Sequence, residues 1–255
     1  MKIRYVGKTD VGRKRSHNED NLHAVEEENL YMVADGMGGH ASGEVASEMA
    51  VQTVAKFFKE TSADDEITWP YKMEKGKEYE NNRLTASMKL ANLRIFETAA
   101  QNPGQRGMGT TLVVLLLTPD TAYFGNVGDS RIYRLRGDKL DQVTEDHSLL
   151  NDYIKMKDLT EEEIENFPHK NVIVRALGMK ETVQVDVDAE PWEPGDTFML
   201  CSDGLNGMIK DEVIREIMIE HRDNLEMCCD KLIEAANANG GNDNITVSVV
   251  QVAEA

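Results

Sequence analysis

The stretch Val183-Gln-Val-Asp-Val-Asp-Ala189 is the clearest indication of the fold class. Its three valines alternate with polar residues, which is the period-two pattern of a strand with one buried and one solvated face. Strands of this kind are typical of antiparallel sheets. Seven other short apolar segments are bounded by Gly, Asp and Asn and also predict strands. They are Ile3–Val6, Leu30–Ala34, Leu112–Leu117, Ala122–Val127, Ile132–Leu135, Thr197–Cys201 and Ile245–Val252.

Helical periodicity is confined to two zones of the sequence. In the first zone the apolar residues of Val45–Phe58 share one helical face, and Ser42 is a candidate N-cap of that helix. A partner helix is expected from about Leu84 to Ala100. In the second zone Asp211 is a candidate cap of one helix, and a longer helix spans Leu225–Ala236. Because the helix pairs are separated from most strands, the pattern favours sheets covered by separate helical layers over a βαβ alternation.

Composition and charge exclude several classes of protein. The 255 residues contain 46 Asp plus Glu and 28 Lys plus Arg, for a formal net charge of −18, which disfavours nucleic acid as a partner. A hydrophobic content of 40% is too high for a disordered chain. The longest apolar run, Leu112–Leu117, is far shorter than the roughly 20 residues of a membrane span. The N-terminus has no secretion signal, so we expect a cytoplasmic protein without a membrane partner.

Five aspartates share one local pattern, because each lies at the end of an apolar strand or just before one. A strand can deliver a carboxylate to the rim of a sheet, and an adjacent glycine lets the backbone turn sharply there. Any single Asp-Gly pair is equally typical of an ordinary turn. The repetition is what points to a site. The five are Asp20, Asp35, Asp129, Asp203 and Asp243.

Carboxylates that are gathered at one place repel one another unless cations neutralise them. Sets of oxygen ligands select hard cations such as magnesium or manganese. A site with two such ions makes hydroxide available near neutral pH and holds the oxygens of a phosphate during in-line displacement. The aspartates therefore predict a two-metal site that hydrolyses a phosphate ester.

Two further side chains have chemistry that suits this reaction. His40 follows Asp35 by five residues, and its imidazole is suited to protonating the leaving oxygen. Arg15 is a candidate for binding the phosphate, since a guanidinium binds phosphate in a bidentate manner. Arg13 and Lys14 are alternatives to Arg15 on chemistry alone.

As a set, eight motifs in this order resemble the metal-dependent Ser/Thr protein phosphatase family, type 2C (PPM), in its compact bacterial form. The motifs are GRKRSHNEDN (Gly12–Asn21), VADGMGGH (Val33–His40), RGMGTTLV (Arg106–Val113), GNVGDSRIY (Gly125–Tyr133), TEDHS (Thr144–Ser148), VRALG (Val174–Gly178), CSDGL (Cys201–Leu205) and GGNDNITV (Gly240–Val247). The resemblance implies an α+β fold, a four-layer αββα sandwich with metals bound at one edge between two antiparallel sheets. It also implies a single catalytic domain over residues 1–255, with a flap subdomain at about 148–174.

The resemblance assigns a role to each candidate residue. Asp35 would bridge two metals, the Gly36 carbonyl would bind one of them, and Asp203 and Asp243 would bind the other. Asp129 with Asp203 corresponds to a third metal position. The remaining assignments are Asp20 as a direct or water-mediated ligand, Glu19 as a contact of metal-bound water, Arg15 as the phosphate-binding arginine, His40 as the general acid, and Thr110, Thr111 and Ser202 as hydrogen-bonding residues.

The predicted function is hydrolysis of phosphoserine and phosphothreonine on proteins by a metal-activated water. Two or three manganese or magnesium ions are the expected cofactors. The expected partners are phosphorylated Ser/Thr proteins, including a cognate Ser/Thr kinase, and the expected state is a monomer. Two alternatives are a non-catalytic phosphoprotein-binding module on the same fold and a metal-dependent nuclease or nucleotide phosphohydrolase. The negative net charge weighs against long nucleic acids and leaves nucleotides open.

Overall fold

Two antiparallel β-sheets lie face to face in the computed structural model, which describes residues 2–38, 42–63, 69–157, 159–160, 163–164, 167–168 and 172–253. The first sheet has the order β2 (Asp20–Val25), β3 (Leu30–Met37), β5 (Leu112–Leu117), β6 (Thr121–Val127) and β9 (Asp186–Pro191), with β4 (Gly109–Thr110) paired to β3. The second has the order β1 (Lys2–Asp10), β11 (Ile245–Ala253), β10 (Thr197–Cys201), β7 (Arg131–Arg136) and β8 (Lys139–Gln142).

One pair of helices covers each sheet. Helices α1 (Gly43–Ala63) and α2 (Tyr79–Gln101) pack on the first sheet through a core that includes Phe58 and Met88. On the second sheet lie α5 (Asp211–Glu220) and α6 (Leu225–Ala238), while the short α3 (Leu149–Met156) and α4 (Asp203–Asn206) lie in connections.

In the part of the chain that the structure describes, three apolar cores lie between four layers of secondary structure. One core lies between α1, α2 and the first sheet, and another lies between the second sheet and α5 and α6. The third fills the space between the sheets, where Phe124 of β6 and Phe198 of β10 have ring centroids 5.8 Å apart. This arrangement is the predicted αββα sandwich, since each sheet buries one face on its partner and the other on helices.

The strand predicted at 183–189 begins three residues later, at Asp186. Its pairing with β6 runs from Thr121 opposite Pro191 to Asn126 opposite Asp186, so residues 183–185 precede the paired residues. The predicted face is nevertheless right, because all three valines of the alternating stretch pack on the core beneath α1 and α2.

Several other boundaries differ from the expectation. Helix α2 begins at Tyr79 instead of about residue 84. Asp211 is the first residue of α5 and accepts a hydrogen bond from Tyr133 Oη, while the cap position is held by Lys210. Ser42 directly precedes α1, but its hydroxyl donates to the Gly104 carbonyl. Strands β1 and β11 are longer than predicted, and β2, β8 and the flap helix α3 have no counterpart in the prediction.

The three cysteines, Cys201, Cys228 and Cys229, are free and buried. Within the ranges given above, no helix has the length and apolar character needed to cross a membrane.

Candidate active site

The predicted acidic residues meet at the edge where the two sheets come together. Asp20 opens β2 and stands opposite Asp35 in the register of β2 and β3. Its Oδ2 accepts hydrogen bonds of 2.7 Å from the hydroxyls of Ser202 and Thr246, which belong to the end of β10 and to β11. Asp20 therefore connects the first sheet to the second.

Asp35 is held through its backbone by the segment at the start of β5. Its carbonyl accepts from Thr111 N and from Thr110 Oγ1, both at 2.9 Å, and its own N–H donates to Thr111 Oγ1 at 3.0 Å. The two threonines are hydrogen-bonding residues, as expected. These bonds leave the Asp35 carboxyl free to face the other acids.

Gly36 lies where only a glycine fits. A Cβ at this position would be 2.1 Å from the Gly43 carbonyl oxygen and 2.5 Å from the Glu19 carbonyl oxygen. The Gly36 N–H donates to that same Glu19 oxygen at 3.1 Å. The close packing fixes the peptide that follows Asp35 against the beginning of α1.

The second sheet contributes Asp203 and Asp243. Asp203 is the first residue of α4 and lies two residues after the end of β10. Asp243 precedes β11, and its Oδ2 accepts from Arg15 Nη2 at 2.6 Å. The Arg15 side chain remains 48% exposed, so one of its faces is open to solvent while the other is paired.

Asp129 stands at the turn between β6 and β7 and is 7% exposed. It follows Gly128, whose φ of +117° lies in the region that favours glycine. Among the described residues no hydrogen-bond partner meets the buried oxygens Asp129 Oδ1 and Asp20 Oδ1. Buried carboxylate oxygens that lack a hydrogen-bond donor and lie in one acidic cluster are the ligand atoms expected around a cation.

Glu19 is 9% exposed and lies beside the start of α1. Its Oε1 accepts from Gly43 N at 3.2 Å, and its carboxylate, the His17 ring and the Glu44 carboxylate have ligand atoms within 4.8 Å of one another. The predicted general acid, His40, lies outside the described residues.

The acids raise one another's pKa values. Burial, followed by the charges of Asp203 and Asp243, raises the pKa of Asp20 to about 6. Burial, followed by the charge of Asp203, raises the pKa of Asp129 to about 7. Burial and the four surrounding aspartates raise the pKa of Asp35 well above its usual range, and burial with Asp243 raises that of Asp203. The cluster thus holds protons that a cation would displace.

Residues 9–246 match the family model described as Protein phosphatase 2C. The chain belongs to the protein phosphatase 2C family. It is 40% identical over 251 residues to the serine/threonine phosphatase stp of Listeria innocua, covering 96% of this chain and 94% of that relative. It is 39% identical over 252 residues to the protein phosphatase PhpP of Streptococcus pneumoniae, covering 96% of each.

Solved structures match over nearly the whole phosphatase. The Mycobacterium tuberculosis serine/threonine phosphatase PstP/Ppp has a TM-score of 0.85 at 32% identity and covers 99% of both chains. The catalytic domain of PstP in complex with two manganese ions has a TM-score of 0.82 at 33% identity, again over 99% of both chains. The predicted family, fold class and serine/threonine phosphatase function are confirmed.

A groove of about 440 Å³ leads from the acid cluster of the phosphatase to the flap. Asp129, Asp203 and Asp243 line it together with Leu150 of α3. Helix α3 buries none of its residues, and Met156 at its end is 79% exposed. The flap helix therefore presents apolar side chains beside the acidic groove.

Sequence analysis missed the residues that hold the acids in place. Asn244 accepts from Glu19 N at 2.8 Å and donates to the carbonyls of Val11 and His17, which ties the N-terminal loop to the segment containing Asp243. The partnership of Ser202 and Thr246 with Asp20 was also missed. The available signal was that Asn244 and Ser202 are immediate neighbours of Asp243 and Asp203.

The pKa of Asp129 leads to a prediction about the pH dependence of stability. The pKa rises from 3.8 to about 7 on folding, so the folded protein binds more protons than the unfolded chain in this interval. The free energy of unfolding contributed by this group therefore falls as pH rises from about 4 to about 7. We expect metal-free wild type to lose more stability than Asp129→Asn between pH 5 and pH 7.5. Denaturant titrations in a chelating buffer measure this difference, and parallel pH profiles would contradict it.

Proposed function

We propose that this phosphatase hydrolyses phosphoserine and phosphothreonine with two divalent cations held by the acid cluster. Asp35 would bind both ions, the Gly36 carbonyl one of them, and Asp203 and Asp243 the other. The observation that carries the proposal is the convergence of five carboxylates from both sheets, of which two have buried oxygens without a partner among the described residues.

The residues fit manganese or magnesium. All the donors are oxygen atoms, which hard cations prefer, and the raised pKa values show that the carboxylates lack compensating positive charge. The two manganese ions of the PstP structure support the same class of cofactor. We assign Asp129, with Asp203, to a third cation and Asp20 to a direct or water-mediated contact.

When bound, the cations would lower the pKa of water to near neutrality and neutralise phosphate charge. The chain supplies the positions of the reacting groups. Thr110 and Thr111 hold the Asp35 backbone, and Ser202 and Thr246 orient Asp20. Glu19 would accept hydrogen bonds from water at the rim of the cluster.

Arg15 would bind the substrate phosphate. Its half-exposed guanidinium already pairs with Asp243, so it is held at the entrance of the acid cluster with donors free for a second acceptor. His40 remains a prediction from the sequence as the proton donor to the leaving oxygen.

The biological setting follows from the substrate chemistry. Phosphoserine and phosphothreonine are products of Ser/Thr kinases, and we propose that the phosphatase opposes such a kinase and that the kinase is among its substrates. The single catalytic domain over 1–255, the flap at 148–174, the monomeric state and the cytoplasmic location stay predictions from the sequence.

The test is phosphate release from a phosphothreonine peptide, with ATP as a competing class of substrate. We expect release from the peptide in manganese or magnesium, little release in chelator, and slower release from ATP. Asp203→Asn should lower peptide hydrolysis by more than about 100-fold, because disturbing even an outer-shell partner of a metal ligand costs roughly 10- to 100-fold. Asp223→Asn, at an exposed site between α5 and α6, is the matched control. Metal-independent release, or faster release from ATP, would overturn the proposal.

A further inference from the structure

His147 joins the turn that carries Asp129 to the base of the flap. Its ring Nδ1 accepts a hydrogen bond from Gly128 N–H at 2.9 Å, and its own backbone N–H donates to the Gly128 carbonyl, also at 2.9 Å. The residue is 6% exposed. These two bonds hold both backbone polar groups of Gly128, the glycine that directly precedes Asp129.

Gly128 is confined on its other side as well. A Cβ there would lie 2.5 Å from the Thr111 side chain, and Thr111 is the residue that bonds the Asp35 backbone. Gly128 is thus bracketed between His147 and Thr111. The bracket bears directly on Asp129, because the bonded Gly128 carbonyl belongs to the peptide that joins the two residues.

The opposite nitrogen of the His147 ring faces the entry of β9. Nε2 lies 2.9 Å from Asp186 Oδ2, and Arg175 Nη1 lies 3.0 Å from the same oxygen. Arg175 Nη1 also lies 3.0 Å from Nε2 itself. Because the Gly128 N–H donates to Nδ1, we place the proton of the neutral ring on Nε2, where it donates to Asp186, and Arg175 then donates to Asp186 and not to the ring. The ring therefore accepts a hydrogen bond from Gly128, which precedes Asp129, and donates one to Asp186, the first residue of β9.

Both ends of the flap meet at His147. Its carbonyl accepts from Val174 N at 2.9 Å, and the neighbouring bond from Leu149 N to the Val172 carbonyl is 2.8 Å long. Arg175, which follows Val174, shares the carboxylate of Asp186 with the histidine ring. The two ends of the flap are therefore joined at His147 and at the residues that follow it.

We infer that His147 is a positioning residue that orients Asp129 through Gly128 and fixes the base of the flap through Asp186. It touches neither the phosphate site nor the reacting atoms, so its effect on cation binding is exerted through the peptide before Asp129. The part that concerns cations rests on the function and the Asp129 site proposed above.

Two variants test the two ring nitrogens separately, because each can keep one hydrogen bond of the ring and lose the other. In His147→Asn the side-chain amide can occupy the place of Nδ1 and keep the bond to Gly128 while losing Asp186. In His147→Gln the longer amide can occupy the place of Nε2 and keep Asp186 while losing Gly128. A histidine that only fills space would make the two variants equivalent. His221→Asn and His221→Gln, at the end of α5 and outside the groove, are the matched controls.

The first measurement is manganese binding by calorimetry, with melting temperatures to verify that each variant is folded. We expect His147→Gln to weaken the weakest manganese site by roughly 10- to 100-fold, the usual effect of losing a group that orients a ligand, and His147→Asn to stay close to wild type. In an Asp129→Asn background, His147→Gln should cause no further change.

The second measurement is hydrogen–deuterium exchange in the metal-free protein. We expect His147→Asn to accelerate exchange in 148–156 and 172–178 by roughly 10-fold, the effect of losing one hydrogen bond to a charged group, and His147→Gln to do so less.

Each outcome bears on a separate part of the inference. Equal loss of manganese affinity in both variants, additive with Asp129→Asn, would overturn the positioning of Asp129 by His147. Unchanged flap exchange in His147→Asn would overturn the link to the flap whatever the metal result. If wild type and Asp129→Asn bind the same number of manganese ions, the cation site assigned to Asp129 is wrong, and the cation part of the inference is overturned with it.

Discussion

Replacing Asp35 by asparagine is expected to lower phosphate release by more than about 100-fold and to raise the melting temperature of the metal-free protein. The first effect follows because Asp35 is the proposed ligand of both cations, and even a partner that only orients a ligand is worth roughly 10- to 100-fold. The second follows because burial and four aspartates oppose the ionised form of Asp35, which raises its pKa well above the usual range.

The opposite directions of these effects make the prediction specific. A neutral amide of nearly the same shape removes the free-energy cost of folding with this carboxyl, whose raised pKa means that the metal-free fold favours its protonated form. A gain of about 1 kcal/mol would raise the melting temperature by roughly 2–4 °C in a chain of this size. Any variant that merely damaged the fold would lower the melting temperature together with activity.

The measurements are phosphate release with manganese, manganese binding by calorimetry, and thermal unfolding in chelator. Asp188→Asn is the matched control, because the pKa of Asp188 is also raised, by burial and by Asp186, Glu190 and Glu145, but it lies on β9 outside the acid cluster. We expect the control to retain activity. Retained activity and unchanged metal affinity in Asp35→Asn would contradict the proposed role of Asp35.

Replacing Gly36 by alanine is expected to lower the free energy of unfolding by about 1–3 kcal/mol or more, the range found when atoms are forced into a packed site. The new methyl would lie 2.1 Å from the Gly43 oxygen and 2.5 Å from the Glu19 oxygen. Both are backbone atoms, so neither can turn aside as a flexible side chain would. Relief requires movement of the peptide whose carbonyl is a proposed metal ligand, and phosphate release should fall as well.

Gly104→Ala is the control for this substitution. A Cβ at Gly104 meets nothing within 4 Å, and the residue lies in an exposed turn. We expect its unfolding free energy to change by less than about 0.5 kcal/mol, as is usual for exposed positions. Denaturant titration and phosphate release of both variants form the test, and equal behaviour of the two glycines would refute the steric account.

Regular elements with a strong local pattern were predictable from the sequence. The apolar run Leu112–Leu117 is a fully buried central strand, and the periodic face of Val45–Phe58 packs on the sheet as α1. Strand β2 could not be predicted from the sequence, because Asp20–Val25 mixes polar and apolar residues and becomes a strand by pairing with β3. The start of β9 was misplaced because a strand begins where pairing with its neighbour begins, and that is set by the tertiary structure.

The candidate site likewise has residues that could be predicted from the sequence and partners that could not. The aspartates stood out because each ends or precedes an apolar strand, which is a local signal. The bond from Arg15 to Asp243 joins residues 228 positions apart, and that from Thr246 to Asp20 joins residues 226 apart. No local pattern reports such partners.

The eight motifs were therefore enough to indicate the family and the fold that it implies. Strand alternation, helix periodicity and Asp-Gly turns, which are encoded within a few neighbouring residues, were enough to predict separate helical layers and to single out the acidic residues. Tertiary structure alone decided which groups hold those acids and how strongly their pKa values are raised, because burial and charge repulsion arise only when both sheets meet. The same holds for His147, whose ring nitrogens receive distinct roles only after Gly128 and Asp186 are brought to either side of it.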